Sequence, residues 1–408
     1  MTRLTSSDHV IVVGAGLAGW RFVEALRREG FDGAVTLVGE ETDPPYDRPP
    51  LSKNVLVGKW DLEKTILASG ERIAAAHVTM RLGVSATGLD VATTTVHLGD
   101  GSSISGTHVV IATGTRARTL PFSAGERVRT LRRFDDLRRL NADLATLDAG
   151  AVVAVIGGGF IGAEVATALH TRGFRPIVLE AAPRPLIGVL GDEVSSWLVR
   201  LPADVGVELR VDQKIEDVTA SSEGLRVDFV GGTSLEAGVV VVGVGAVANV
   251  EWLGDSGLRI DNGVVVDEHM AAAERVAAIG DVARFVWPSV SGSELVRIEH
   301  WEVANVQAST LARHWVTGEA ATALLVPYFW SDQYGKKIQL LGHPRADDDV
   351  VRASGGDDEG KWLALYSRDG VVTGVVTLGN PRGLMLSKPL LESPTSLAEA
   401  LVSSPWSS

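Results

Sequence analysis

The chain contains no cysteine. That absence excludes structural disulfides, thiolate metal ligands and any redox-active thiol. Long apolar runs are missing too: no stretch approaches the roughly 18 residues that a membrane-spanning helix needs. Positive charge is in deficit, with 38 Lys and Arg against 51 Asp and Glu and a formal net charge of −13. Nucleic acid is therefore a poor partner, because binding it rests on Lys and Arg neutralising phosphates. The plain reading of the charge is solubility. Residues 1–8 are too short and polar for a signal peptide, so a cytoplasmic location is expected. The 408 residues, 45% hydrophobic and 22% charged, suffice for two or three domains with their own cores.

Against these absences stands a duplication. Gly14-Ala15-Gly16-Leu17-Ala18-Gly19 follows the apolar run at 10–13, and Gly157-Gly158-Gly159-Phe160-Ile161-Gly162 follows the run at 152–156. A strand, a glycine-rich turn and a helix set backbone N–H groups and a positive helix end against a pyrophosphate. Gly14 permits the tight turn, Gly16 the approach of phosphate, and Gly19 the packing of a helix at 17–28 on the sheet. A strand at 34–38 then leads to Glu40, 26 positions after Gly14, where a carboxylate can accept ribose hydroxyls. The second copy repeats the plan with Gly157, Gly159, Gly162, a helix at 160–172, a strand at 176–179 and Glu180, 23 positions after Gly157. A lone glycine pattern is weak, since glycines also mark ordinary turns, but each copy here has its strand, helix and acid. Glu180 points to NADH over NADPH, because a carboxylate repels a 2′-phosphate; Arg184 nearby tempers that preference. Two such sites imply two dinucleotides, one giving electrons and one receiving them. With no thiol relay, the receiving dinucleotide, expected to be a flavin, would pass its electrons on itself.

Between and beyond the cradles lie other segments. The proline-rich stretch from Pro44 to Lys53 reads as a stiff, extended loop, either functional or a plain linker. Alternating runs across 78–98 read as a small sheet. Buried strands are expected at 108–113, ending in Gly114, and at 239–245. A further strand ends in Gly280-Asp281, where Asp281 either bonds a ribityl hydroxyl or serves as an ordinary turn aspartate. A helix at 302–316 follows Glu299-His300-Trp301, and 326–408 changes character toward aromatics and short strands.

In this order, the two cradles, Arg48-Pro49-Pro50-Leu51-Ser52-Lys53, Ala112-Thr113-Gly114, Gly280-Asp281 and Glu299-His300-Trp301 resemble the NADH-dependent ferredoxin reductases of bacterial oxygenase systems. The loop at 48–53 and Phe329-Trp330-Ser331-Asp332-Gln333 are the most specific parts of the likeness. The resemblance implies an α/β chain of two Rossmann-like dinucleotide-binding domains on a glutathione-reductase-like plan, with a small C-terminal α+β domain. FAD would occupy a domain built from 1–117 and 246–326, NAD the inserted domain at 118–245, and the C-terminal domain would span 327–408. It further implies Lys53 near the flavin ring and Glu164 near the nicotinamide, the two forming a charge pair. Glu164, five residues past Gly159 and expected on the first helical turn, also reads as a charge partner of the helix N-terminus. Arg48 joins the cofactor-binding set, and Ala86 and Arg132 match positions at the FAD adenosine end, Ala86 through its backbone. Trp301 would open a helix facing the flavin pyrimidine edge. Trp330 would lie beside the isoalloxazine or pack a domain interface. Ala248 stands where the family usually has proline, before Asn249.

The function implied is electron transfer from NADH through FAD to a 2Fe-2S ferredoxin, which feeds a haem monooxygenase or a Rieske-type dioxygenase. No metal site is expected. The competing readings are a diaphorase or monodehydroascorbate-type reductase, and a non-catalytic flavoprotein like the apoptosis-inducing factors. Lys53, Arg382 and Lys388 are the candidate cations for docking an acidic ferredoxin.

Overall fold

A computed structural model describes residues 3–122, 126–222, 224–289, 292–319, 326–356 and 360–407. Met1 and Thr2 of the polar N-terminal stretch, and Ser408, lie outside these residues. Two compact units emerge, each from three stretches of chain: Met1–Asp47, Thr65–Arg116 and Val247–Pro327 form one, and Arg48–Lys64, Ala117–Ala246 and Tyr328–Ser408 the other.

The first unit is built on a six-stranded sheet in the order Ala271–Ala273, Val276–Ala278, His108–Ile111, His9–Val13, Ala34–Gly39 and Thr79–Leu82. Its strands run parallel except at the first pair. After their leading histidines, His9–Val13 and His108–Ile111 are unbroken apolar runs because a parallel sheet covered on both faces leaves no wet side. Helix Leu17–Arg28 carries Trp20, Phe22 and Leu26 into the core, where Phe22 meets Trp315 of helix Trp301–Thr317 edge-on at 5.6 Å. The small sheet expected across 78–98 divides. Thr79–Leu82 joins the large parallel sheet beside Ala34–Gly39, and only Ala86–Asp90, Thr95–Leu98 and Ser103–Ser105 form the separate antiparallel sheet.

The second unit holds the second parallel sheet, ordered Glu208–Arg210, Arg175–Leu179, Val152–Ile156, Val239–Val242 and Val128–Arg129. Helix Phe160–Thr171 follows its central strand. The same unit carries a five-stranded antiparallel sheet, ordered Tyr328–Gln333, Lys336–Gly342, Val371–Leu378, Lys361–Arg368 and Asp349–Gly356, with short helices after it. The proline-rich stretch is not extended throughout: Pro49–Ser52 forms a turn of 3₁₀-helix. Proline at the first helical positions has its φ pre-set and loses no needed N–H, so the residues that argue against a helix interior suit a helix start. Among the described residues, no helix is long and apolar enough to cross a membrane.

Candidate functional site

Both glycine turns take the conformation that their sequences require. Gly14 has φ +120°, and a Cβ there would lie 2.1 Å from the Ala112 carbonyl oxygen. One at Gly19 would lie 2.0 Å from the Gly14 oxygen, so the helix sits against the turn only because both residues are glycine. Ala15 faces Gly39, where a side chain would strike the Ala15 Cβ at 2.6 Å. Gly16 caps helix Leu17–Arg28 without a side-chain hydrogen bond, and no acid lies in the first turn. The second turn matches: Gly157 has φ +101°, a Cβ at Gly162 would lie 1.9 Å from the Gly157 oxygen, and Gly159 caps its helix with no side-chain bond. A Cβ at Gly159 would meet nothing nearer than the Gly243 oxygen at 4.0 Å, so space stays open in front of this helix. Two helix ends whose capping glycines supply no side-chain acceptor to the leading N–H groups fit a dinucleotide pyrophosphate each.

The two acids differ. Glu40 directly follows strand Ala34–Gly39 and is exposed. Glu180 is half-buried and already braces the second turn: its Oε2 accepts from the Gly158 N–H at 2.7 Å and its Oε1 from the Ala182 N–H at 2.8 Å. Its charge is thereby fixed in position beside the turn. Arg184, the cation that tempers NADH preference, is paired with Asp192.

At the same carboxyl end of the first unit's parallel strands, Gly280 has φ +74° and its N–H donates to the Gln307 Oε1 at 2.8 Å. Gln307 is fully buried in helix Trp301–Thr317, so that helix fixes the Gly280–Asp281 turn. Thr115 Oγ1 reaches the Asp281 carboxylate at 3.4 Å. Trp301 is the first residue of its helix, and its indole N–H donates to Asp47 at 2.8 Å. The end of this helix also carries Glu302 in its first turn, with a buried Oε2 that has no hydrogen-bond partner among the described residues. Ala86 lies in the small antiparallel sheet. The turn that lacks the family's proline is tied by hydrogen bonds instead. Asn249 receives Thr113 Oγ1 on its carbonyl at 2.8 Å, and it donates to the Thr113 carbonyl through Nδ2 at 2.9 Å and to the Gly114 carbonyl through its N–H at 3.0 Å.

The remaining candidates fall in the second unit. Lys53 ends the 3₁₀ turn, and its Nζ is 2.7 Å from Glu164 Oε2. Glu164 is the fifth residue of helix Phe160–Thr171, one place beyond the first turn, so it is not the helix-end charge partner that its position first suggests. It is only 3% exposed. A buried carboxylate persists when paired and hydrogen-bonded, and this one has three donors: Lys53 and Ser52 Oγ (2.5 Å) on Oε2, and Ser331 Oγ (2.6 Å) on Oε1. Arg48 donates to the Arg132 carbonyl at 2.7 Å, and the Arg132 N–H donates to Asp136. Trp330 stacks on Tyr328 with ring centres 5.7 Å apart.

Sequence reasoning missed Ser52, Ser331, Asp47 and Gln307 as site residues. Ser52 and Ser331 stand inside the two segments most specific to the family. Serine is common in turns and strands, however, and nothing local marks a partner 112 or 167 positions away.

Residues 8–308 match the family described as pyridine nucleotide-disulphide oxidoreductase, and 328–407 match the reductase C-terminal family. The chain is 34% identical to rhodocoxin reductase of Rhodococcus erythropolis, over 94% of this chain and 89% of that one. It is 35% identical to the ferredoxin reductase component of chlorobenzene dioxygenase from Cupriavidus sp. (strain PS12), over 97% and 95%. The crystal structure of the covalent putidaredoxin reductase–putidaredoxin complex superposes with a TM-score of 0.90 at 29% identity, covering 99% of this chain and 100% of that one. Both Rossmann-like cradles and the C-terminal sheet are thus those of a known plan, and the chain belongs to the pyridine nucleotide-disulphide oxidoreductase family, among the ferredoxin reductases of bacterial oxygenase systems.

Proposed function

We propose that this chain is a cytoplasmic NADH:ferredoxin oxidoreductase that takes electrons from NADH through FAD to a 2Fe-2S ferredoxin serving a haem monooxygenase or Rieske-type dioxygenase. The observation that carries the reading is a chain with two dinucleotide cradles, in a family named for disulphides, that has no cysteine. When bound, FAD supplies the exchange between a two-electron hydride donor and a one-electron acceptor.

The protein's own residues bind, orient and tune. Gly14, Ala15, Gly16 and Gly19 set the first helix end against the FAD pyrophosphate, with Glu40 on the ribose. Gly280 and Asp281 present a carboxylate to the ribityl chain. Trp301, held by Asp47, opens the helix that faces the flavin pyrimidine edge. Arg48, Ala86, Arg132 and Trp330 keep the FAD-side roles that the family likeness implies. Gly157, Gly159 and Gly162 hold NADH by the same logic as the first turn, and Glu180 selects it. Lys53 and Glu164 act as a charge pair that sets the field at the reacting rings, not as an acid–base dyad, because donors already hold both carboxylate oxygens. Arg382 on helix Pro381–Leu386 is exposed and Lys388 just after it half-buried, cations suited to an acidic partner.

Denatured protein is expected to release FAD rather than FMN, and flavin reduction in stopped flow should favour NADH over NADPH. Glu180→Ala should narrow that preference by about tenfold or more, since removing one like-charge contact is worth about 1–2 kcal/mol in a half-exposed site. Equal turnover of the two nucleotides by the unaltered chain contradicts the assignment of the second cradle.

A further inference from the structure

Helix Phe160–Thr171 and strand Tyr328–Gln333 meet along a line of three contacts. Phe160 packs on Phe329 with ring centres 4.5 Å apart, Glu164 accepts from Ser331, and Thr167 Oγ1 accepts from the Tyr334 N–H at 2.8 Å. Residues 160, 164 and 167 lie on one helix face, and 329 and 331 on one strand face, so the register of the two elements sets these contacts together. Ser331 sits at the centre of this line, fully buried, and is held in turn by Gln333 Nε2 at 3.2 Å. The C-terminal sheet therefore grips the same carboxylate that pairs with Lys53.

We propose that Ser331, assisted by Ser52, is a positioning residue through which the C-terminal sheet fixes Glu164 and thereby the place of the Lys53 ammonium. The inference rests on the proposed function, which puts Lys53 beside the flavin. Three donors share one carboxylate. With Ser331 removed, the carboxylate leans on the two that remain, draws the ammonium closer and leaves less positive field for a reduced ring. Ser52 donates to the oxygen that Lys53 uses, and Ser331 holds the other, so the two hydroxyls together fix the plane of the carboxylate.

The test is spectroelectrochemical titration of the purified holoprotein. Ser331→Ala is expected to lower the two-electron flavin midpoint by about 30 mV, a tenfold shift in the equilibrium. Ser331→Thr, which keeps a hydroxyl, should restore it. In a Glu164→Ala background the same Ser331→Ala change should shift nothing further, because Ser331 acts only through that carboxylate. Ser52→Ala carries the same expected direction and takes the place of Ser331→Ala should that variant not fold. An unmoved midpoint in these variants, or an equal shift with Glu164 absent, overturns the inference. Failure of the unaltered chain to bind FAD or accept electrons from NADH would instead overturn the function on which it rests.

Discussion

Gly19→Val is expected to abolish FAD retention. The substituted Cβ would lie 2.0 Å from the Gly14 oxygen and 3.2 Å from Val12 Cγ1, and the nearer obstacle is backbone that no rotamer change can clear. Overpacking of this kind costs about 1–3 kcal/mol even where side chains give way. Here the helix must lift off the strand, carrying its N–H groups away from the pyrophosphate. Each loss of about 1.4 kcal/mol weakens affinity tenfold, and lifting the helix removes all of its N–H contacts to the pyrophosphate together, so purified Gly19→Val should hold less than about one-tenth of the flavin. Gly70 offers the control within the same compact unit: it has no positive φ, and a Cβ there would meet nothing within 4 Å. Gly70→Val should keep its flavin, measured as the ratio of visible to ultraviolet absorbance. A yellow Gly19→Val at full stoichiometry contradicts the geometry of the first cradle.

Lys53→Met is expected to destabilise the second unit by about 3 kcal/mol, because it strands a buried carboxylate with only two hydroxyls for partners. Lys53 is 17% exposed at its side chain and Glu164 2%, so water offers the carboxylate little relief. The double variant Lys53→Met/Glu164→Gln should recover more than half of the loss, since the amide carries no charge, its oxygen can still accept from one of Ser52 and Ser331, and its N–H can donate to the other hydroxyl. Urea unfolding midpoints of the single and double variants decide this. A single variant as stable as the parent shows that the pair contributes nothing to the folded state.

Much of this arrangement was legible in the sequence because its determinants are local. A strand, a glycine turn, a helix and an acid occupy about thirty consecutive residues. Leu17–Arg28 and Ala34–Gly39 accordingly form where pattern alone sets them. What was not legible depends on distant partners. Thr79–Leu82 carries no mark saying whether it pairs with Ala34–Gly39 or with Ala86–Asp90, and a four-residue strand can serve either sheet. Pro49 and Pro50 fit both an extended loop and a helix start, and the hydrogen bonds that close the turn decide the matter. The three donors on Glu164 come from positions 52, 53 and 331, so the carboxylate's surroundings exist only once the chain has folded. A resemblance to a family could name Lys53 and Glu164, but it did not supply Ser331.

The central claim is that electrons leave this chain from the flavin, without a thiol, to a one-electron iron–sulfur acceptor. Its most direct test is anaerobic stopped-flow mixing of the NADH-reduced holoprotein with an oxidised 2Fe-2S ferredoxin. The expected result is saturable reoxidation of the flavin with matching bleaching of the iron–sulfur absorbance, and a rate that falls as salt screens the docking charges over roughly 8 Å at physiological ionic strength. Reoxidation no faster than in buffer alone, with a long-lived complex of reduced flavin and NAD, would contradict it and favour a non-catalytic flavoprotein.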